Sequence, residues 1–115
     1  MPEEAANTLT LEVERDGDRA LVRCHGKLVA GVTNVLYGAV RPLMPDAKRI
    51  VLDLTDLTHM DSMGLGMLVR LYVSAKSAGC TIELINLGPR IRQLLGVTDL
   101  LSMFTAIGED SIRIP

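Results

Sequence analysis

Five consecutive residues, Ile50-Val51-Leu52-Asp53-Leu54, constrain the fold of this chain more than any others. The run is short, rich in branched side chains, and bounded by Lys48-Arg49 and by a polar loop from Thr55 to Met60. Such a strand suits burial on both faces, inside a covered sheet. The next segment is helical. Leu65, Leu68, Val69, Tyr72, Val73 and Lys76 form a stripe between about Ser62 and Ala78, with Gly79 as the natural C′ residue. A buried strand feeding a long amphipathic helix is the first half of a strand–helix–strand unit, and the rest of the chain must supply its neighbours.

Those neighbours are legible. Thr8 to Glu14 alternates strictly, with Leu9, Leu11 and Val13 on one face and polar residues on the other, the pattern of a strand with one wet face. Asp16-Gly17 is a hairpin signal, and a second strand runs from about Arg19 to His25, ending at Gly26. Val32, Val35, Leu36, Ala39 and Val40 have helical spacing, closed by Pro42 and Pro45. Thr81–Ile85 reads as a fourth strand, and Gly88-Pro89 opens a third helix to about Leu95. Thr98-Asp99 suits the start of one more turn, and Phe104 to Ile107 a last short strand. The fold class is therefore α/β, in the order ββαβαβα(α)β, a mixed sheet of four to five strands with helices packed on it. Residues 1–7 read as a flexible N-terminus and 8–115 as one domain, since 115 residues are too few for two.

Composition excludes several functions. With 48% apolar residues and a net charge of −2, the chain is not intrinsically disordered. Its aromatic residues are Tyr37, Tyr72 and Phe104, too few for base-stacking recognition of single strands. No overall basic surplus exists for nucleic acid or anionic membranes. The acidic start MPEEAANT is not a signal peptide, and the longest uncharged apolar run, Met63 to Val69, is far short of the roughly 20 residues of a membrane span. Cys24 and Cys80 read as buried thiols rather than a disulfide, so the expected setting is the cytoplasm. His25 and His59 belong to no ligand pair, and no metal site is expected. Neither a phosphate loop nor a Gly-x-Ser-x-Gly elbow is present, so neither an enzyme nor a cofactor is expected.

One segment remains: Asp61-Ser62-Met63-Gly64-Leu65-Gly66, between the buried strand and the main helix, where open α/β sheets place ligands. Asp61 or Ser62 could serve as helix cap, which would account for both without any function. Capping does not explain two glycines, each unfavourable by up to about 1 kcal/mol in a helix. Met63 is open to two readings, core residue or exposed contact.

This segment, after the Ile50–Leu54 strand, resembles the signature of STAS domains, and among them is most similar to bacterial anti-sigma-factor antagonists. Gly26-Lys27-Leu28 matches the family's Gly-x-Leu turn. Ile91, Arg92, Leu94, Leu95, Val97, Thr98, Leu100 and Phe104 follow its C-terminal pattern. The resemblance implies a phosphorylatable serine at Ser62 and a partner that is an anti-sigma factor and serine kinase of the histidine-kinase-like ATPase fold. The chain itself would be a monomer or weak homodimer. The implied partner surface comprises Lys27, Leu28, Thr58, His59, Met60, Asp61, Met63, Gly64, Leu65 and Gly66. Two departures stand out. Val29 occupies a position that is usually Asp, and the family's final helix is short or absent. Val29 favours an alternative, a STAS scaffold or subunit of a transport or stress-signalling complex without a phosphorylation cycle.

Overall fold

The computed structural model describes residues 8–97, 105–106 and 111–114. Its first hairpin joins β1 (Leu9–Asp16) to β2 (Arg19–Leu28) in antiparallel register, Leu9 opposite Gly26 and Asp16 opposite Arg19. Gly17 makes the turn at φ 63°, a conformation open to glycine without steric penalty. The alternation of β1 is real, but its burial fades along the strand. Leu9 is buried, Leu11 half-buried, and Val13 43% exposed because β1 is an edge strand that runs out from under the helices.

β2 continues three residues past His25 and so beyond the expected end. Gly26 does not terminate it. At φ 104° it forms an irregularity inside the strand, and a Cβ there would lie 2.1 Å from the carbonyl oxygen of Thr8. Only glycine lets β2 pass this close to the start of β1.

A first helix, α1 (Thr33–Val40), and a 3₁₀ turn (Arg41–Leu43) lead to β3, which spans Arg49–Met60. This corrects the expected loop: Thr55 to Met60 is strand. The extension of β2 provides the pairing, with Lys27 opposite His59 and Leu28 opposite Met60 in parallel register. Within β3, Ile50, Val51, Leu52 and Leu54 are buried as expected. Then come α2 (Ser62–Ala78), β4 (Thr81–Ile85), α3 (Pro89–Val97), β5 (Thr105–Ala106) and β6 (Ser111–Ile114). The sheet order is β1-β2-β3-β4-β6-β5. The mixed α/β architecture is the expected one. β6, antiparallel to β4, is an additional strand that the sequence pattern does not announce. Thr98-Asp99 and its extra turn lie outside the described residues, as do residues 1–7.

Because β2, β3 and β4 are adjacent, parallel and in sequence order, right-handed crossovers bring α1 and α2 onto the same face. Val22, Cys24, Ile50, Leu52, Leu54, Ile82 and Leu84 form the core beneath them. From α1 come Leu36 and Val40, with Val32 just before it; Val35 is exposed. The buried face of α2 is Gly64, Leu65, Met67, Leu68, Leu71 and Ala75. That stripe is turned by roughly one residue from the expected one, so Val73 is exposed and Val69 and Tyr72 half-buried. Gly79 at φ 73° closes α2 as a left-handed cap, and the Cys80 N–H donates to Ala75. Cys24 and Cys80 are both free and buried.

Candidate functional site

The C-terminal ends of β2 and β3 and the start of α2 converge on one aspartate. Asp61 has an extended backbone (φ −105°, ψ −174°), which lets its side chain fold back over the first helical turn. One carboxylate oxygen accepts from the Gly64 N–H at 2.9 Å, and the other accepts from the Ala30 N–H at 2.9 Å. The Ala30 and Gly64 amides together hold the Asp61 carboxyl below the usual carboxylate range. Asp61 thus caps α2 and ties the β2–α1 connection to it. No sequence signal marked Ala30, since its contribution is a backbone amide.

That geometry decides between the two candidate caps. With Asp61 as the cap, Ser62 becomes the first helical residue and is exposed, and its hydroxyl has no hydrogen-bond partner among the described residues. Its hydroxyl stands at a helix N-terminus, where free amides and the macrodipole favour an anion. Met63 is 58% exposed, so it is not a core residue.

The two glycines have different causes. A Cβ on Gly64 would meet the Leu28 carbonyl oxygen at 2.1 Å, so this glycine permits contact between α2 and the end of β2. Around Gly66 a Cβ would meet nothing within 4 Å, and the residue is exposed. Of the expected surface residues, Lys27, Thr58, His59, Met63 and Gly66 are exposed, while Met60 is half-buried. Leu28, Gly64 and Leu65 are buried and shape the site from below rather than presenting side chains to solvent. Val29 is half-buried and packs on the core.

His59 and Thr58 form a small relay. The Thr58 hydroxyl donates to the Gly26 carbonyl at 3.0 Å, and His59 Nδ1 lies 2.9 Å from the Thr58 oxygen. A hydroxyl has one proton. With it committed to Gly26, Nδ1 must carry the proton donated to Thr58. His25 is bound up elsewhere, with Nε2 2.5 Å from Glu12 and Nδ1 3.0 Å from Asp56. Both histidines are engaged in local hydrogen bonding. Among the described residues no group of three or more His, Cys, Asp or Glu side chains could hold a metal ion. No described helix is long and apolar enough to cross a membrane.

The profile of the STAS domain matches residues 10–111. A STAS-domain containing protein of Pseudomonas aeruginosa is 28% identical over 89 residues, 77% of this chain and 88% of the relative. The anti-sigma-B factor antagonist of Bacillus subtilis is 27% identical over 92 residues, covering 80% of this chain and 84% of that protein. Among solved structures, an anti-sigma factor antagonist from Mycobacterium paratuberculosis superposes with a TM-score of 0.72 at 22% identity, over 82% of this chain and 80% of that one.

Proposed function

Since the chain belongs to the STAS domain family, we propose that it is an anti-sigma-factor antagonist whose affinity for its partner is set by phosphorylation of Ser62. In this reading it acts in the cytoplasm and binds, while Ser62 is unmodified, an anti-sigma factor that is also a serine kinase of the histidine-kinase-like ATPase fold. Binding frees a sigma factor for transcription; phosphorylation releases the antagonist. The chain is a switch rather than an enzyme. Its serine has no bonded base to activate it, and the nucleotide is the partner's.

The observation that carries this reading is the division of labour between Asp61 and Ser62. Asp61 takes the cap and leaves the serine hydroxyl free at an exposed helix start. A phosphoryl group there would bring about −1.5 to −2 charges at neutral pH. The fold tolerates that charge, because the helix N-terminus favours an anion by roughly 0.3–1 kcal/mol. A partner surface complementary to a neutral hydroxyl does not. Burying the new charge unpaired costs several kcal/mol, and every 1.4 kcal/mol is about tenfold in affinity.

The test is binding of wild type, Ser62→Ala and Ser62→Asp to the partner kinase, with and without ATP. Ser62→Ala is expected to bind like unmodified wild type and to resist release by ATP. Ser62→Asp is expected to bind about a hundredfold more weakly. Equal binding by both variants, with no phosphate on the wild type, favours instead a scaffold without a phosphorylation cycle, the reading to which Val29 points.

A further inference from the structure

The net charge of −2 conceals a segregation. α1, the 3₁₀ turn and α2 contain no Asp or Glu, yet they carry Arg41, Arg70 and Lys76. Acidic residues lie instead on the strands and turns, where several have a close partner: Glu14 beside Arg23, Glu83 beside Arg49, Asp46 beside Arg15, and Glu12 and Asp56 beside the two ring nitrogens of His25. Among the described residues no carboxylate oxygen comes within ion-pair distance of Arg41, Arg70 or Lys76. The strand and turn side keeps an acidic surplus, with Asp16, Asp18 and Asp53 outside these pairs, whereas α1, the 3₁₀ turn and α2 carry cations alone.

The unbalanced cations are held in place. The Arg70 guanidinium lies 4.2 Å from the centroid of the Tyr37 ring, bridging α2 to α1. A hydrogen bond with Ser74, then the charge of Arg70, then Arg41 lower the Tyr37 hydroxyl from its ordinary range, burial opposing them. On the outward side of α2, positions 63, 66, 70 and 73 follow helical spacing and form one ridge. Met63 and Val73 are its exposed apolar ends, about 15 Å apart at 1.5 Å per residue. Arg70 lies between them, and Gly66 leaves a gap open to solvent.

We propose that this ridge of α2, with Arg41 and Tyr37 of the adjoining elements, is a docking surface for an acidic protein segment. Carboxylates of that segment face Arg41 and Arg70, and an apolar side chain enters the space over Gly66 between Met63 and Val73. Phosphate polymers match only half of this pattern, because they offer nothing to the two exposed apolar ends. The surface adjoins Ser62 but does not depend on the modification of that residue.

The probe is a synthetic helical peptide of about 18 residues, with leucines along one stripe and glutamates flanking it. Its counterpart has lysine in place of every glutamate. Each is titrated into the isotope-labelled full chain, and amide shifts are followed by NMR. The acidic peptide is expected to move the amides of Met63, Gly66, Arg70, Val73 and Tyr37. Its affinity should fall at least tenfold when salt rises from about 0.1 to about 1 M, which shortens the screening length from about 10 to about 3 Å. Arg70→Glu should weaken binding tenfold or more. Val73→Glu, at an exposed position without polar contacts, should do the same with an unchanged thermal midpoint, which keeps the test valid even if Arg70→Glu unfolds. Equal binding of the lysine peptide, shifts confined to another face, or tighter binding of phosphatidylserine vesicles or duplex DNA would each overturn the proposal.

Discussion

Of the two residues that could have capped α2, Asp61 takes the role and Ser62 does not. Its carboxylate is an acceptor for amides from two different elements, so its charged form is favoured in the folded state. The linkage has a definite sign. A carboxyl whose folded pKa is depressed contributes stability above its unfolded value, about 3.9, and loses it as pH falls through the folded value. Asp61→Asn retains capping geometry without the charge. Thermal melts of the two proteins should therefore differ in favour of wild type near neutral pH. The gap should narrow as pH drops below about 4. A gap that is constant from neutral to acid pH would mean that the Asp61 charge contributes nothing. The buried thiols follow the same logic from the other side. Burial pushes the Cys24 thiol up to about 12, so thiolate is scarce in the native state at any ordinary pH.

At the scale of elements, the start of α2 is set by how closely it approaches β2. Gly64 presses against the Leu28 carbonyl, whereas Gly66 faces open space. The same substitution should therefore have opposite effects two residues apart. Gly64→Ala forces the helix away from the strand, with an expected loss of about 1–3 kcal/mol, the usual range for overpacking. Gly66→Ala meets nothing and removes a helix-unfavourable residue, for an expected gain of up to about 1 kcal/mol. Denaturant midpoints at equal m-values measure both. Neutral or stabilising behaviour of Gly64→Ala would show that the contact with Leu28 does not govern the position of α2.

On the scale of the whole molecule, one layer of helices covers β2, β3 and β4, and both cysteines contribute to its core. Access to Cys24, on the central part of β2, requires that layer to separate from the sheet. Iodoacetamide at pH 8.5 should therefore modify Cys24 only through opening that approaches global unfolding. Cys80, at the edge of the layer before β4, should be modified faster. Mass spectrometry of timed samples in increasing denaturant gives both rates. Rapid labelling of Cys24 without denaturant would contradict a closed helix layer.

Wherever apolar residues recur with a period, the order of residues alone specifies which segments are strands and which are helices. Thr81–Ile85 falls at its expected limits, the long helix runs from Ser62 to Ala78, and Gly79 ends it. Those outcomes are local, because side-chain spacing and a left-handed glycine carry their own physical cause. The motif Asp61-Ser62 was legible for the same reason, as a cap candidate leading into a helical stripe. Tertiary structure decided the rest. Thr55 to Met60 is strand because β2 lies alongside it, and a polar stretch carries no mark of a partner placed some thirty residues earlier. Which face of α2 is buried depended on its docking at Gly64, since the helix is apolar over a wide arc and its pattern admits more than one orientation. That the other oxygen of the Asp61 cap also holds the Ala30 amide depended on β2 and its following connection being brought alongside. Even the sign of the charge on the helix side was hidden, because a net charge sums over a surface that folding divides into an acidic strand-and-turn side and a basic helix side.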